Sequence, residues 1–555
     1  MMVPMRSISS FVAVVFVLSA APLFADIVSA GAVQVLLPAS SSIYGVASVV
    51  ATARDGRSMV VASSALITGG SSFSAFFFDR FGQQVAAPQV IAFPAGQAAY
   101  NFDVAASSSG FMLLYDATPS AAAGTNREVY YRMYSFTGQL LANGQANTIT
   151  SLDESRPGCA PLAGGGFACV WVRGPLIPGS PSQGIYLRRY SNTGAAVDAM
   201  EVRVDATTNS FGAQDAPVVS AWPTGQLVVV WHDGTPNGLP GQASPDNFGQ
   251  AIVARFLSNT LQPTSVNNLV VNSITANDQF DPRVAADDRN TCLIGWCGET
   301  TAAQVDGYCR RFSSTGLVLT PTDLLLTPTN TSSQFLTSVG ISSNGEGVAV
   351  WMDGTNTPGQ PAPRNSYARL TQQGALIESN FVEAGGTANE IHSLPKIGAD
   401  EYGNILCAYT VAVFATTNQP TLRLRRLART CITPGAATLP IGGSMSLILS
   451  LPSDANQPYL LACSAGQGPL PLDTRLLRLD WDLILNLSVF QGGAGIFYNF
   501  TGFLGVTGFS SDPAVIVPNM PSLAGLNLHF AAVTGVMAAP SGVNTVTDTL
   551  SMTLL

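Results

Sequence analysis

Four carboxylates stand at matching places behind an aromatic residue: Asp116 directly after Tyr115, Asp233 two residues after Trp231, Glu299 three after Trp296, and Asp353 two after Trp351. His232 lies between Trp231 and Asp233 and is the one histidine beside a carboxylate of this set. Two chemistries are open to such residues. A ring of carboxylates binds a cation, an amine or sugar hydroxyls, and an imidazole next to a carboxylate can act as general acid or base. The same residues also have a plain architectural use, because Asp-Gly, as in Asp233-Gly234 and Asp353-Gly354, sets a tight turn by bonding its own backbone. We take Asp116, His232, Asp233, Glu299 and Asp353 as candidate ligand-binding residues and assign no catalytic residue.

The elements that must position them repeat along the chain. An apolar run ending in an aromatic recurs as FMLLY to Tyr115, FACVW to Trp171, LVVVW to Trp231, CLIGW to Trp296, GVAVW to Trp351 and ILCAY to Tyr409, with a weaker first copy, SMVVAS, reaching Ser63. The interval averages roughly 58 residues, a little above the usual propeller repeat. A second phrase follows each copy (VYYRMYSFTG, IYLRRYSNTG, GYCRRFSSTG) and a third precedes it (DAPVVSAWPTG, DPRVAADDRN, LPKIGADEYGN). Short alternating or apolar runs bounded by Gly, Asp, Asn and Ser read as strands joined by turns. We name them A, B and C, with a fourth strand D at Val90–Phe93, Val202–Val204, Leu269–Val271 and Leu324–Leu326. Seven four-stranded units read as a seven-bladed β-propeller, and the open solenoid is the structural alternative. The last unit stops after its C strand, and the orphan run VQVLL at Val33–Leu37 is placed to supply its missing outer strand and close the ring.

Inventory narrows the chemistry. Of 25 basic side chains only Lys396 is a lysine, and the histidines number three, His232, His392 and His529, so lysine chemistry and multi-histidine metal sites are nearly excluded. A net charge of −9 lacks the positive footprint a nucleic-acid partner demands. Charged residues at 11%, with 53 Gly and 35 Pro, argue against helical bundles. The pairs Arg188-Arg189, Arg310-Arg311 and Arg425-Arg426 recur at one repeat position, which favours a role between blades, and neither an SxDxGxTW box nor a DxDxDG calcium loop occurs. No cofactor or metal is expected.

The ends differ from the repeats. Residues 1–25 read as a secretory signal peptide, with Arg6, the apolar run FVAVVFVL from Phe11 to Leu18, Pro22 and cleavage after Ala25. No later run reaches transmembrane length. Residues 26–430 hold the propeller, and residues 431–555, with runs such as SLILSL and LNLHFAAV, read as a C-terminal β-sandwich. Export permits disulfides. Cys159 and Cys169 flank an A–B hairpin, Cys297 and Cys309 lie near the ends of the blade-five B–C connection, and Cys431 and Cys463 could staple the sandwich. Cys292 and Cys407 are expected to be buried free thiols.

The units resemble bacterial secreted and cell-surface repeats with the signature VVVW, a D-G turn, then YxRRF and a later Gly, over residues 33–427 and most closely from Trp171 to Gly374. The string YLLACSAGQGPLPLDTRLLRLDWD resembles a C-terminal module of exported bacterial proteins with no assigned activity. These resemblances imply a propeller and an extracytoplasmic setting but no reaction. Short A–B turns and long B–C loops make the B–C face the candidate working surface. The expected function is an exported, non-catalytic binding or surface-interaction protein whose partner is an extracellular glycan or protein. A carbohydrate-active hydrolase using rim carboxylates and a structural envelope protein are the alternatives. Oligomeric state is not legible.

Overall fold

The computed structural model describes residues 27–555 except 30–31, 38–42, 67–70, 94–96, 120–125, 175–182, 206–213, 235–244, 247, 302–303, 328–332, 355–363, 383–389, 414–419, 474, 491–494 and 536–539. The expected leader, residues 1–25, and the central parts of the long B–C loops lie outside the described residues.

Seven antiparallel sheets follow one another, six with their four strands in chain order from inside to outside and the seventh with outer strands from the start of the described chain. Their inner strands are Ile43–Thr52, Ala99–Ala106, Glu154–Pro161, Asp215–Ala221, Gln279–Ala286, Gln334–Ile341 and Glu390–Ala399. Each inner strand contacts the next, and the seventh returns to the first, so the sheets form a closed β-propeller. At the seam, a Cβ on Gly398 would collide with the Thr52 side chain, so only glycine permits this approach of blade seven to blade one.

The seventh sheet is completed from the other end of the chain. Gln34–Leu37 pairs antiparallel with Thr421–Arg429, and Ile27–Ser29 pairs further along the same strand. The outer strand expected at Val33–Leu37 is therefore in place, and the second segment is one that the sequence pattern had not marked. Pairing the outer edge removes a row of unsatisfied backbone groups.

The B-strand aromatics fill the space between blades. Trp171 packs with Met112 and Leu114 of the preceding blade, Trp231 with Val170 and Val172, and Trp296 with Val228 and Val230. All are essentially inaccessible. Arg188 and Arg310 donate across the same boundaries, Nη1 to Ala146 O at 2.9 Å and to Val271 O at 2.8 Å respectively, which is the inter-blade role expected of the arginine pairs.

Beyond Arg429, two five-stranded sheets share one hydrophobic cluster. Leu447 and Leu449 come from one sheet, and Leu461 and Phe530 from the other, a sandwich arrangement. A short helix, Leu483–Val489, interrupts the strand-and-turn pattern. Its N-cap, Asp482, accepts from the Leu485 amide at 2.8 Å. Among the described residues no helix is long and apolar enough to cross a membrane.

The expected disulfides are corrected. All eight cysteines are free and buried. Cys159 and Cys169 are direct cross-strand partners, but the Cys169 thiol packs against Met112 Sδ at 3.4 Å, within the core between blades. Cys297 pairs with Gly307 and Cys309 with Gly295, so these two are out of register with each other. Cys431 and Cys463 both contribute to the sandwich core as apolar side chains.

Two outcomes follow. Thiol titration of the denatured, unreduced protein should return eight free thiols, with the melting temperature unchanged by reductant. Deleting residues 26–37 should lower stability by several kcal/mol in urea unfolding, because it uncovers the outer edge of blade seven and the apolar side chains Leu422 and Leu424.

Candidate functional site

The inner strands do not run straight. In four blades a non-glycine residue directly before proline adopts left-handed backbone: Arg156 (φ 53°), Ala216 (φ 50°), Asp281 (φ 51°) and Leu394 (φ 50°). At each, the ladder slips register, so the inner strand carries a bulge. Such positions cost about 1–3 kcal/mol each and persist where the surrounding sheet over-determines them. Two of the four, Arg156 and Asp281, bring charge to the inner strand at its bulge.

Around these bulges, polar groups from neighbouring blades gather on the B–C side. Arg156 Nε lies 2.8 Å from Asp215 Oδ1, joining blades three and four, and its guanidinium is about half exposed (49%). Its amide donates to Asp116 Oδ2 at 3.2 Å. Asp116 is fully buried and also accepts from the Asn101 amide at 2.6 Å, from Asn101 Nδ2 at 2.9 Å and from Arg127 Nη1 at 3.3 Å. Burial nonetheless pushes its carboxyl above the usual range.

His232 stands opposite Asp215 in the blade-four ladder. It is 7% exposed, and its Nδ1 has no hydrogen-bond partner. Burial holds its basicity below the ordinary histidine value, while Asp215, Asp281 and Asp278 pull the other way and Arg156 adds to the depression. The imidazole is therefore neutral near neutral pH. Asp215 and Asp281 remain partly exposed and belong to adjacent blades.

Further along the axis the inner strands place Asp103, Arg283 and Lys396 of blades two, five and seven. Asp103 Oδ2 accepts the Cys159 amide at 2.9 Å, and burial raises its carboxyl against the nearby charges of Lys396 and Arg283.

The five residues expected from sequence thus divide. Asp116 and His232 join the axial cluster through Arg156 and Asp215. Asp233 accepts from Gln214 Nε2 at 3.2 Å and Asp353 from Gln334 Nε2 at 3.0 Å, each an amide at the start of the inner strand of its own blade, and the Asn101–Asp116 contact repeats that geometry in blade two. Glu299 lines a separate cavity of about 230 Å³ with Trp296, Tyr308 and Asp323. Arg156, Asp215, Asp281, Arg283 and Lys396 were missed, although the third repeated phrase marks them as charges beside a recurring proline.

The opposite end of the axis holds a cavity of about 350 Å³ walled by A–B turns from all seven blades, including Ser107, Trp222, Asp288 and Glu401. Arg54 of blade one crosses it to Asp288 of blade five, with Nη1 2.8 Å from Oδ1, and lies 3.4 Å from Glu401. The sandwich is bound to this face. Tyr402 Oη donates to Leu476 O at 2.6 Å, Asn344 Nδ2 to Thr545 Oγ1 at 2.9 Å, and Asn404 Nδ2 to Asp548 Oδ2 at 2.9 Å.

Neutral burial of His232 makes its contribution to stability pH-dependent. Below the unfolded value of 6.5 the unfolded chain takes up a proton before the native imidazole does, so acidification through that window lowers native stability. His232→Gln should flatten the fall in urea midpoint between pH ~7.5 and ~5 relative to the parent. An unchanged slope would mean that the ring is not held neutral.

No family model matches the sequence, and no curated protein matches it significantly. Solved structures do resemble the fold. An ulvan lyase described as a new polysaccharide lyase family is 10% identical over 72% of this chain and 95% of its own, with a TM-score of 0.43. An α-L-arabinanase from Penicillium chrysogenum is 11% identical over 72% and 98%, with a TM-score of 0.37. An α-L-arabinofuranosidase from Fusarium graminearum is 12% identical over 60% and 93%, with a TM-score of 0.39. The expectation of a non-catalytic binding or surface-interaction protein is corrected here to its alternative: the similar structures are described as carbohydrate-active enzymes, and at TM-scores below 0.5 they carry no argument about this chain's own activity. At these identities the likeness speaks to the β-propeller fold alone, and the chemistry has to be argued from this chain's own residues.

Proposed function

We propose that the protein is a carbohydrate-active enzyme that cleaves a glycan at the B–C end of its inner strands. The observation that carries this reading is the placement of two partly exposed carboxylates of neighbouring blades, Asp215 and Asp281, both close enough to act on the one neutral imidazole of His232. Glycoside hydrolysis needs two carboxyl groups flanking the scissile bond, one to protonate the leaving oxygen and one to activate water or attack directly. In this reading Asp215, paired with Arg156, and Asp281 are the two carboxyl groups, and His232 lies beside Asp215 in the ladder. The acids are thus those of the inner strands, with Asp116 orienting Arg156 through its amide. The protein acts outside the cytoplasm after loss of residues 1–25, and its partner is an extracellular glycan.

The exposed guanidinium of Arg156 favours one second reading. A cation beside a neutral imidazole also serves elimination from an acidic sugar, the arginine neutralising the carboxylate while the imidazole takes the adjacent proton.

A panel of neutral and acidic polysaccharides separates the outcomes. Hydrolysis releases reducing ends alone, whereas elimination also creates an ultraviolet-absorbing unsaturated product. Asp215→Asn and Asp281→Asn should each lower the rate ~10²–10⁴-fold with the fold intact by circular dichroism. No cleavage anywhere in the panel, or full activity in both variants, would overturn the proposal.

A further inference from the structure

Lys396 is the sole lysine of the chain, and it sits on the inner strand of blade seven immediately after the Leu394-Pro395 bulge. Its surroundings are unusual for an amine. Nζ donates to Thr337 O at 2.7 Å, and Arg283 Nε donates to the same oxygen at 2.8 Å. Thr337 is the residue skipped where the blade-six ladder slips register, which frees its carbonyl to face the axis. One bulge carbonyl thus holds two cations side by side, and Arg283 is further fixed by Nη1 on Pro282 O at 2.7 Å. The lysine remains partly exposed.

The groups facing Nζ are Arg283 and Asp281 from blade five's inner strand, Asp103 from blade two, and the buried Cys297 thiol from blade five's second strand. Burial and the neighbouring guanidinium together lower the lysine to about 7, against the pull of the two aspartates. A lysine desolvated beside a fixed cation is a standard way to obtain a free amine near neutral pH.

We infer that Lys396 is an amine nucleophile that captures an aldehyde-bearing ligand at the inner strands as an imine. Nζ adds to the carbonyl carbon, the C–N bond forms as the carbonyl π pair moves to oxygen, and that oxygen takes up a proton. The carbinolamine then expels water as the C=N bond closes, so no oxidant or reductant enters. Asp103 and Asp281 flank the amine and can accept and return the protons. The open-chain form of a reducing sugar belongs to this ligand class. The inference does not depend on glycan cleavage, since capture breaks no bond of the ligand other than its carbonyl C=O, whose oxygen leaves as water.

A single lysine makes the test clean. The full chain is incubated with glyceraldehyde and cyanoborohydride across a pH series, and adducts are located by peptide mass, with the chain's α-amine as internal reference. The expected result is a reduced adduct on Lys396 whose rate is half-maximal near pH ~7, the range of a lowered rather than an ordinary lysine. Lys396→Arg should remove that adduct and leave the α-amine adduct in place. Arg283→Gln should move the half-maximal pH upward by about one unit. An adduct on the α-amine with none on Lys396, or reaction of Lys396 only in the alkaline range of an ordinary lysine, overturns the inference. Because the parent chain supplies both of those readings, a variant that fails to fold does not spare it.

Discussion

A four-stranded sheet in isolation has two apolar faces to cover and two edges to pair, and arranging seven of them around an axis answers the faces but leaves one seam. Antiparallel pairing of Gln34–Leu37 with Thr421–Arg429 completes that seam. It makes the last sheet a full blade and ties the start of the described chain to a segment nearly four hundred residues away. The buried aromatics Trp171, Trp231 and Trp296 can then do the same work at each boundary, because each blade has a predecessor to pack against.

Closure also explains why the inner strands can hold costly features. Left-handed backbone at Arg156, Ala216, Asp281 and Leu394 would relax in a loose strand, but here each lies between a paired neighbour and the next blade. The bulges release carbonyls such as that of Thr337, which then binds the ionisable side chain of Lys396. In that setting Asp103 and Asp116 rise, His232 falls and Lys396 falls, each because burial disfavours its charged form. With the sandwich bound to the A–B turns, the B–C end is where this chemistry meets solvent.

How much of this was legible varies by residue. The Trp-terminated runs identified the B strands, since four buried tryptophans at one repeat position leave few other arrangements. The role of the arginine pairs was also legible, because recurrence at one position implies a boundary. The rim acids were legible only as a class. Asp233 and Asp353 turn back on Gln214 and Gln334 of their own blades, whereas Asp116 is drawn to Arg156 of the next, and the motif around each looks alike. The cysteines misled for a related reason: adjacency on a hairpin was read correctly for Cys159 and Cys169, but the thiols serve the packing between blades.

Periodic composition by itself determined the β class, the repeat and the strand that closes the ring, because hydrophobic spacing is a local property that each blade restates. Which charges share a site was decided by tertiary structure alone. Asp215 and Asp281, or Lys396 and Arg283, belong to different blades, and their interaction depends on the rotation between sheets, the bulges that redirect the inner strands and the loss of water along the axis. None of these quantities is encoded within a single repeat.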